Sequence, residues 1–187
     1  MYRYLRFPEK KITLELTWFF SISWYVMLEI LEKSPFYTGG LNFSCKRCSA
    51  CCRFESGYVF LSWKDVCLLG TALNMEFKDF IKTYCRWIPS VNGDHQLSLK
   101  EKSNYDCIFW NSKLDTVVDG GCSIYDSRPL QCRAFPFWTS ILCDEKSWET
   151  SAHSCPGMGS GAHHSRDSIE KWLALRLNEP IMSKGEF

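Results

Sequence analysis

Four cysteines fall within eight consecutive positions: Cys45, Cys48, Cys51 and Cys52 spell C-x-x-C-x-x-C-C. A second, more widely spaced group follows at Cys107, Cys122, Cys132 and Cys155. A two-residue gap lets both thiolates of a C-x-x-C turn reach one metal ion. The chain doubles back there, and the intervening backbone N–H groups face the sulfurs and offset their charge. Two overlapping turns make a three-thiolate nest. Adjacent residues project differently in most backbone conformations, so Cys51 and Cys52 are expected to divide between two centres, or between a centre and the core. Eight thiolates thus allow two sites.

Cysteine usage also bears on compartment. The chain holds 11 cysteines, more than packing asks for, yet below the roughly 8–10% of short secreted disulfide scaffolds. An odd count, at a length where a core needs no stapling, favours metal-bound thiolates in a reducing compartment over a disulfide framework, and so a cytoplasmic location. The 187 residues, 45% of them hydrophobic, suffice for one domain with appendages and exclude a disordered chain. The net charge of +1 argues against coating nucleic acid or an anionic membrane by charge alone. No nucleic-acid partner is expected; the partner would be a protein that the sequence does not identify.

One apolar stretch competes with that view. Ile12 to Leu31 follows Arg3, Arg6, Lys10 and Lys11 as a signal peptide or membrane anchor would. Glu15 and Glu29 interrupt it, no small-residue cleavage site follows, and the unbroken run from Trp18 to Leu28 is too short to span a bilayer core as a helix. The balance favours a segment packing on the domain, with membrane contact the less favoured reading. Pro35, Gly39 and Gly40 then punctuate the chain. The organisation expected is an N-terminal apolar appendage over 1–40, a cysteine-cluster metal-binding domain over 41–160, and a C-terminal helix and tail over 161–187.

Hydrophobic periodicity places the elements. Gly39 to Gly57 reads as a cysteine-bearing loop, and Tyr58 to Leu61 as a short strand. Ser62, with Asp65 three residues on, caps a helix running to about Leu73, and Asn74 ends it. Phe77, Phe80, Ile81, Tyr84 and Ile88 make a helical stripe stopped by Pro89. Gln96 to Lys100 and Cys107 to Trp110 read as strands, Asp119 to Gly121 as a turn, and Ser168 to Asn178 as a final helix before Pro180. The expected fold is α+β: a small, helix-rich cysteine-cluster domain with a short β-hairpin near Cys107 to Tyr125 and metal-binding loops gathered at one end.

Spacing leaves the metal open. No second C-x-x-C knuckle exists for a zinc ribbon, and His95, His153, His163 and His164 form no H-x3-5-H pair. Cys45, Cys48 and Cys51 match the first three ligands of a bacterial ferredoxin run, and Cys155-Pro156 echoes its terminal Cys-Pro without the right spacing. An iron–sulfur cluster, of the four-iron cubane kind, and zinc both remain.

With Cys107-Ile108-Phe109, the segment Ile124-Tyr125-x-x-Arg128-Pro129-x-x-Cys132-Arg133-x-Phe135-Pro136 and the late Cys155-Pro156-Gly157, the chain resembles the YkgJ-type cysteine-cluster family, whose members are described as zinc- or iron-chelating domains. The resemblance covers Cys45 to Gly157. It implies a cysteine-bound iron–sulfur cluster or zinc, held by Cys45, Cys48, Cys51, Cys52, Cys107, Cys122, Cys132 and Cys155, in a small, mostly bacterial, cytoplasmic domain. A related branch includes flagellin lysine N-methylases.

The segment after Tyr125 can also be read physically. Pro129 starts a turn or helix that sets Cys132 and Arg133 on adjoining faces, so Arg133 either sits beside the thiolates, where its charge would tune a centre, or pairs with a surface carboxylate. Phe135, Pro136, Phe137 and Trp138 read as hydrophobic shielding of the centre. Cys67 and Cys85 read as small buried hydrophobes, His153 as an exposed loop residue, and His163-His164 as surface in a Gly/Ser-rich linker. Cys143 stays unassigned. Three functions follow: an accessory or electron-carrying metalloprotein, which is favoured; a methyltransferase-like enzyme, for which the chain offers no G-x-G-x-x-G loop, P-loop or nucleophile–base spacing; and a zinc or iron storage and delivery protein.

Overall fold

The computed structural model describes residues 34–91, 93–113 and 121–186, and all that follows concerns the unit Phe36–Phe187. The apolar Ile12 to Leu31 stretch lies outside the described residues, as does most of the Asp119 to Gly121 turn. Strand β1 (Leu41–Phe43) precedes the cysteine loop. Helices α1 (Trp63–Ala72) and α2 (Phe77–Tyr84) lead into the antiparallel pair β2 (Cys85–Pro89) and β3 (His95–Leu99). Next come the two-residue strands β4 (Trp110–Asn111) and β5 (Gly121–Cys122), helix α3 (Leu130–Ala134) and helix α4 (Glu145–Ser154). Strand β6 (Met158–His164) returns to β1, and α5 (Arg166–Asn178) closes the series. This is a mixed α+β domain with small antiparallel pairs in place of one large sheet. Among the described residues no helix is long and apolar enough to cross a membrane.

Several elements form for the local reasons the sequence displays. Ser62 caps α1, its hydroxyl accepting from the Asp65 N–H at 3.1 Å while the Asp65 carboxylate accepts from the Ser62 N–H at 2.9 Å, a reciprocal capping box. Val66 and Leu69 face inward, and Asn74 leaves the helix with a left-handed φ of 52°. Cys67 falls on the outward face between them and is exposed, which corrects the buried reading. The α5 cap is Ser165, a turn earlier than the expected start.

Elsewhere tertiary contacts override the periodicity. The stripe expected to stay helical to Ile88 stops at Tyr84, and Cys85 to Pro89 pairs residue for residue with Leu99 to His95. Lys100 enforces the stop: its ammonium donates to the Lys82 and Thr83 carbonyls at 2.8 and 2.9 Å, and its N–H donates to the Tyr84 carbonyl. The Tyr58 to Leu61 segment is extended but joins β3 only through the isolated bridge Phe60↔Ser98 and bonds on either side of it. Cys107 to Phe109 is bridge and turn, with the hairpin strand beginning at Trp110.

The stretch read as a linker is strand β6. Gly157 and Gly161 are required there because Ser44 packs against both: a Cβ at Gly157 would strike the Ser44 carbonyl, and one at Gly161 the Ser44 hydroxyl. The same hydroxyl accepts from the Ala162 N–H at 2.9 Å. His163 and His164 are tied to the Gly39 and Phe43 carbonyls at 2.9 and 3.1 Å. Helix α4, which the periodicity did not announce, is capped by Asp144 and anchored by buried Trp148, and it places His153 on a helix turn where its ring bonds the Glu149 carbonyl.

Two hydrophobic clusters result. One joins α1, α2, β2 and β3 through Leu61, Val66, Leu69, Phe80, Leu97 and Phe109; the other joins α4, α5 and the β1–β6 pair through Tyr37, Phe137, Trp148, Met158 and Ile169. Helix α3 is held between them by the buried Asp65, whose second carboxylate oxygen accepts from the Leu130 N–H at 2.7 Å. One acid therefore caps two helices. Asp65→Ala strands buried N–H donors at both helix starts, at about 1–3 kcal/mol for each, and should lower stability in urea unfolding by about 3 kcal/mol or more. Gly161→Ala, at φ 82° and against Ser44, should cost about 1 kcal/mol or more in the same measurement.

Candidate metal centre

The cysteine loop is shaped by its own backbone. Arg47 and Ser49 both adopt left-handed φ, 54° and 61°, and the Cys52 N–H closes a tight turn onto the Ser49 carbonyl at 2.8 Å. Ala50–Cys52 is consequently a single 3-10 turn. Its tightness brings the Cys51 and Cys52 sulfurs within 3.8 Å of each other, so the two do not diverge as adjacent residues usually would. Both face one cavity.

That cavity measures about 420 Å³ and draws its sulfurs from four stretches of chain: Cys45, Cys51 and Cys52 from the loop, Cys107, Cys122, and Cys132 of α3. Cys48 and Cys155 do not line it. They lie close to it, however, since the Cys155 thiol feels the charges of Cys48 and Cys51. The two cysteine groups that are far apart in sequence are thus gathered at one place. Among the described residues no three His, Cys, Asp or Glu side chains are closed into a ready coordination sphere; the sulfurs instead ring a wider space.

Specific contacts hold the loop segments together. The Cys107 N–H donates to the Cys52 carbonyl at 2.8 Å. Beside it Arg53 pairs with buried Asp106 at 3.6 Å and lies over the Trp110 ring at 4.0 Å. Glu101, in the bridge to Cys107, accepts from the Gly57 N–H, the Ser56 hydroxyl and Arg86. Burial works against its ionisation, yet these donors prevail and hold its carboxyl below the usual range. Cys132 is fixed by its neighbour Gln131, whose amide accepts from the Phe60 N–H and donates to the Tyr58 carbonyl, both at 2.8 Å. Asp65, Asp106 and Gln131 are positioning residues that spacing did not reveal; of these, only the Ser62–Asp65 cap carried a local signal.

A recurring local device aims backbone at sulfur. The Arg47 N–H donates to the Cys45 sulfur at 3.4 Å, and the N–H groups of Phe109, Ile124 and Gly157 stand in the same relation to Cys107, Cys122 and Cys155. In each case the donor lies two residues after the cysteine. Such N–H groups favour the thiolate, which is what a metal ligand must be. The donor set therefore fits a thiophilic metal.

Several of the thiols themselves resist ionisation. Burial, followed by repulsion from their neighbours, pushes Cys107, Cys122, Cys132 and Cys155 above the ordinary thiol range. Cys51 is the exception: the hydrogen bond from the Cys52 thiol lowers it to about 7, while Cys52, holding the shared proton, is raised. Cations help: Arg128 lowers Cys51, Cys122 and Cys132, and Lys102 lowers Cys107. Arg133 lines the cavity but spends its Nε on the Arg128 carbonyl at 2.9 Å. Of the two readings left open for Arg133, beside the thiolates or paired with a surface carboxylate, the pairing is not seen: it has no ion pair among the described residues and lines the cavity, while the charge that bears on the thiols is that of Arg128. Phe135 and Trp138 wall the cavity as expected, whereas Phe137 turns into the second core.

The model of the CxxCxxCC family, "Putative zinc- or iron-chelating domain", matches residues 44–156. The chain belongs to this family. Chelation of zinc or iron is accordingly the property its membership carries, and the matched span runs from Ser44 to Pro156, through every cysteine of the two groups. An uncharacterized protein of Methanocaldococcus jannaschii is 30% identical over 109 residues, covering 58% of this chain and 52% of that protein. A second from the same organism is 25% identical over 152 residues, covering 78% and 49%. The chain thus spans about half the length of these curated relatives. No solved structure matches it.

Two outcomes follow from the thiol environment. Because burial holds Cys107, Cys122 and Cys132 above the ordinary thiol range, metal uptake by them must displace protons. Zinc affinity should fall as pH is lowered, and calorimetry in buffers of different ionisation enthalpy should show release of about two or more protons per ion. Cys85, in the first core, is pushed up by burial to about 12. A thiol raised on folding favours the folded state below its unfolded value of 9.0 and loses that contribution as pH climbs toward 12. Thermal unfolding of Cys85→Ala should depend less steeply on pH over that alkaline window than unfolding of the parent.

Proposed function

We propose that Cys45, Cys48, Cys51, Cys52, Cys107, Cys122, Cys132 and Cys155 hold an iron–sulfur cluster, and that the domain serves as an accessory or electron-carrying module for a protein partner. The observation that carries this reading is the convergence of six of these cysteines on one cavity of about 420 Å³. A lone tetrahedral zinc ion sits about 2.3 Å from each sulfur and needs no such space, whereas a polynuclear cluster with its own sulfides does. The N–H groups aimed at four of the sulfurs and the Arg128 charge support it, since hydrogen bonds and cations around a cluster set its potential. Phe135 and Trp138 would limit its exposure to water.

The test is iron, zinc and acid-labile sulfide per chain, with a visible spectrum, on protein purified without oxygen. Iron with matching sulfide supports the cluster. Zinc without sulfide overturns it and makes the domain a structural or storage zinc module. The Cys45→Ser, Cys48→Ser double variant should lose bound metal and solubility together, and full metal content in it would remove both residues from the ligand set. Cys67→Ala, on the exposed face of α1, should keep its full metal.

A further inference from the structure

The thiols form only part of the cavity wall. Arg47, Arg128 and Arg133 line it too. The Arg47 and Arg128 guanidinium carbons lie 4.1 and 3.7 Å from the centroid of the same Tyr125 ring, hence at most about 8 Å from each other. Arg133 lines the same cavity, its Nε donating to the Arg128 backbone carbonyl at 2.9 Å. Ion pairs among the described residues engage Arg53, Lys64, Arg86 and Arg166, and none of these three. Of the carboxylates in the wall, Glu101 is taken up by Arg86, Ser56 and the Gly57 N–H, and Glu55 is exposed with no hydrogen bond or ion pair to any of the three. Lys100 turns its ammonium away to the carbonyls that end α2.

Three guanidiniums in one cavity wall, none of them ion-paired to a carboxylate, suit that cavity to an anion. Arg128 is the one whose charge bears on the thiols, so it answers to the metal–thiolate centre. Arg47 and Arg133 remain. A guanidinium presents a planar fork of donors that matches carboxylate and phosphate oxygens. The surrounding wall is apolar and aromatic, with Phe43, Phe109, Phe135 and Trp138, and the volume falls within the range of small-molecule sites.

We propose that the cavity binds a small organic anion, its phosphate or carboxylate head on Arg47 and Arg133 and its apolar body along Phe135 and Trp138, beside the metal centre. The site goes beyond the metal reading: it shares the cavity and the Phe135 and Trp138 wall with the metal centre, while its cations, Arg47 and Arg133, are not assigned to that centre.

The full-length protein as purified is titrated calorimetrically with phenyl phosphate and with benzoate, benzamide serving as the uncharged control, while metal content is measured on the same samples. Saturable binding of either anion in the millimolar range or tighter, with none of benzamide, is the expected result, and the tighter anion assigns the head group. The double variant Arg47→Gln, Arg133→Gln should weaken that binding by about tenfold or more at unchanged metal content. Arg47→Gln alone, at an exposed position, should weaken it in the same direction and guards against a folding defect in the pair. Failure of both anions to bind, equal binding of benzamide, or anion binding unaltered in the variants overturns the proposal. Loss of metal from the variants also overturns it, since the guanidiniums would then serve the centre. Anion binding by protein that holds no metal would sink the metal reading and leave this one standing.

Discussion

Thiols that share a half-buried cavity cannot all release their protons unless a cation takes the protons' place. Each thiolate formed there raises the cost of the next, as the mutual influence of Cys51, Cys107, Cys122 and Cys132 shows. Burial therefore favours the protonated form of Cys107, Cys122 and Cys132 until a cation replaces their protons. What offsets that opposition is local: N–H groups two residues beyond Cys45, Cys107, Cys122 and Cys155, and the Arg128 guanidinium. The remainder of the domain can be understood as the means of keeping these elements together.

That task falls to a few polar side chains working between segments. Asp65 caps α1 and α3 at once, which ties the position of Cys132 to the first hydrophobic cluster. Gln131 adds a two-point backbone pairing to the extended Tyr58 to Phe60 segment. Asp106 and the Cys107 N–H fasten the second cysteine group to the first, and Ser44, wedged against Gly157 and Gly161, sets the loop's start beside the turn that carries Cys155. Each of these groups is satisfied by partners far away in sequence, so each loses much of its value if the other end moves. A cavity edged by two separate clusters gains its rigidity from such ties.

The second consequence of the arrangement is electrostatic. A centre ligated by several thiolates carries net negative charge, and one guanidinium facing the sulfurs moderates it. Arg47, on the Tyr125 ring that Arg128 also covers, and Arg133 add positive charge to the same cavity wall. Metal binding and anion recognition would then share one space and its aromatic wall while drawing on different polar side chains.

Local sequence determined much of this protein. The eight cysteines announced a metal site through their number and spacing, because a turn of two intervening residues is itself a geometry for thiolates. Ser62 with Asp65 wrote the start of α1, since a capping box is satisfied within four residues. Tertiary structure decided the rest. The stripe through Tyr84 and Ile88 satisfies a helical period, but Cys85 to Pro89 pairs with β3 and Lys100 takes up the last carbonyls of α2, which ends early. Glycines that read as a linker became strand β6 because Ser44 needed room that only glycine leaves. The left-handed residues Arg47 and Ser49 turned Cys51 and Cys52 toward the same cavity, against the usual divergence of neighbours. Arg128 is the guanidinium whose charge bears on the sulfurs, while the Arg133 Nε is bonded to the Arg128 carbonyl. Spacing within a few residues is legible because the backbone joining them is short; which distant groups meet is settled only when packing chooses among them.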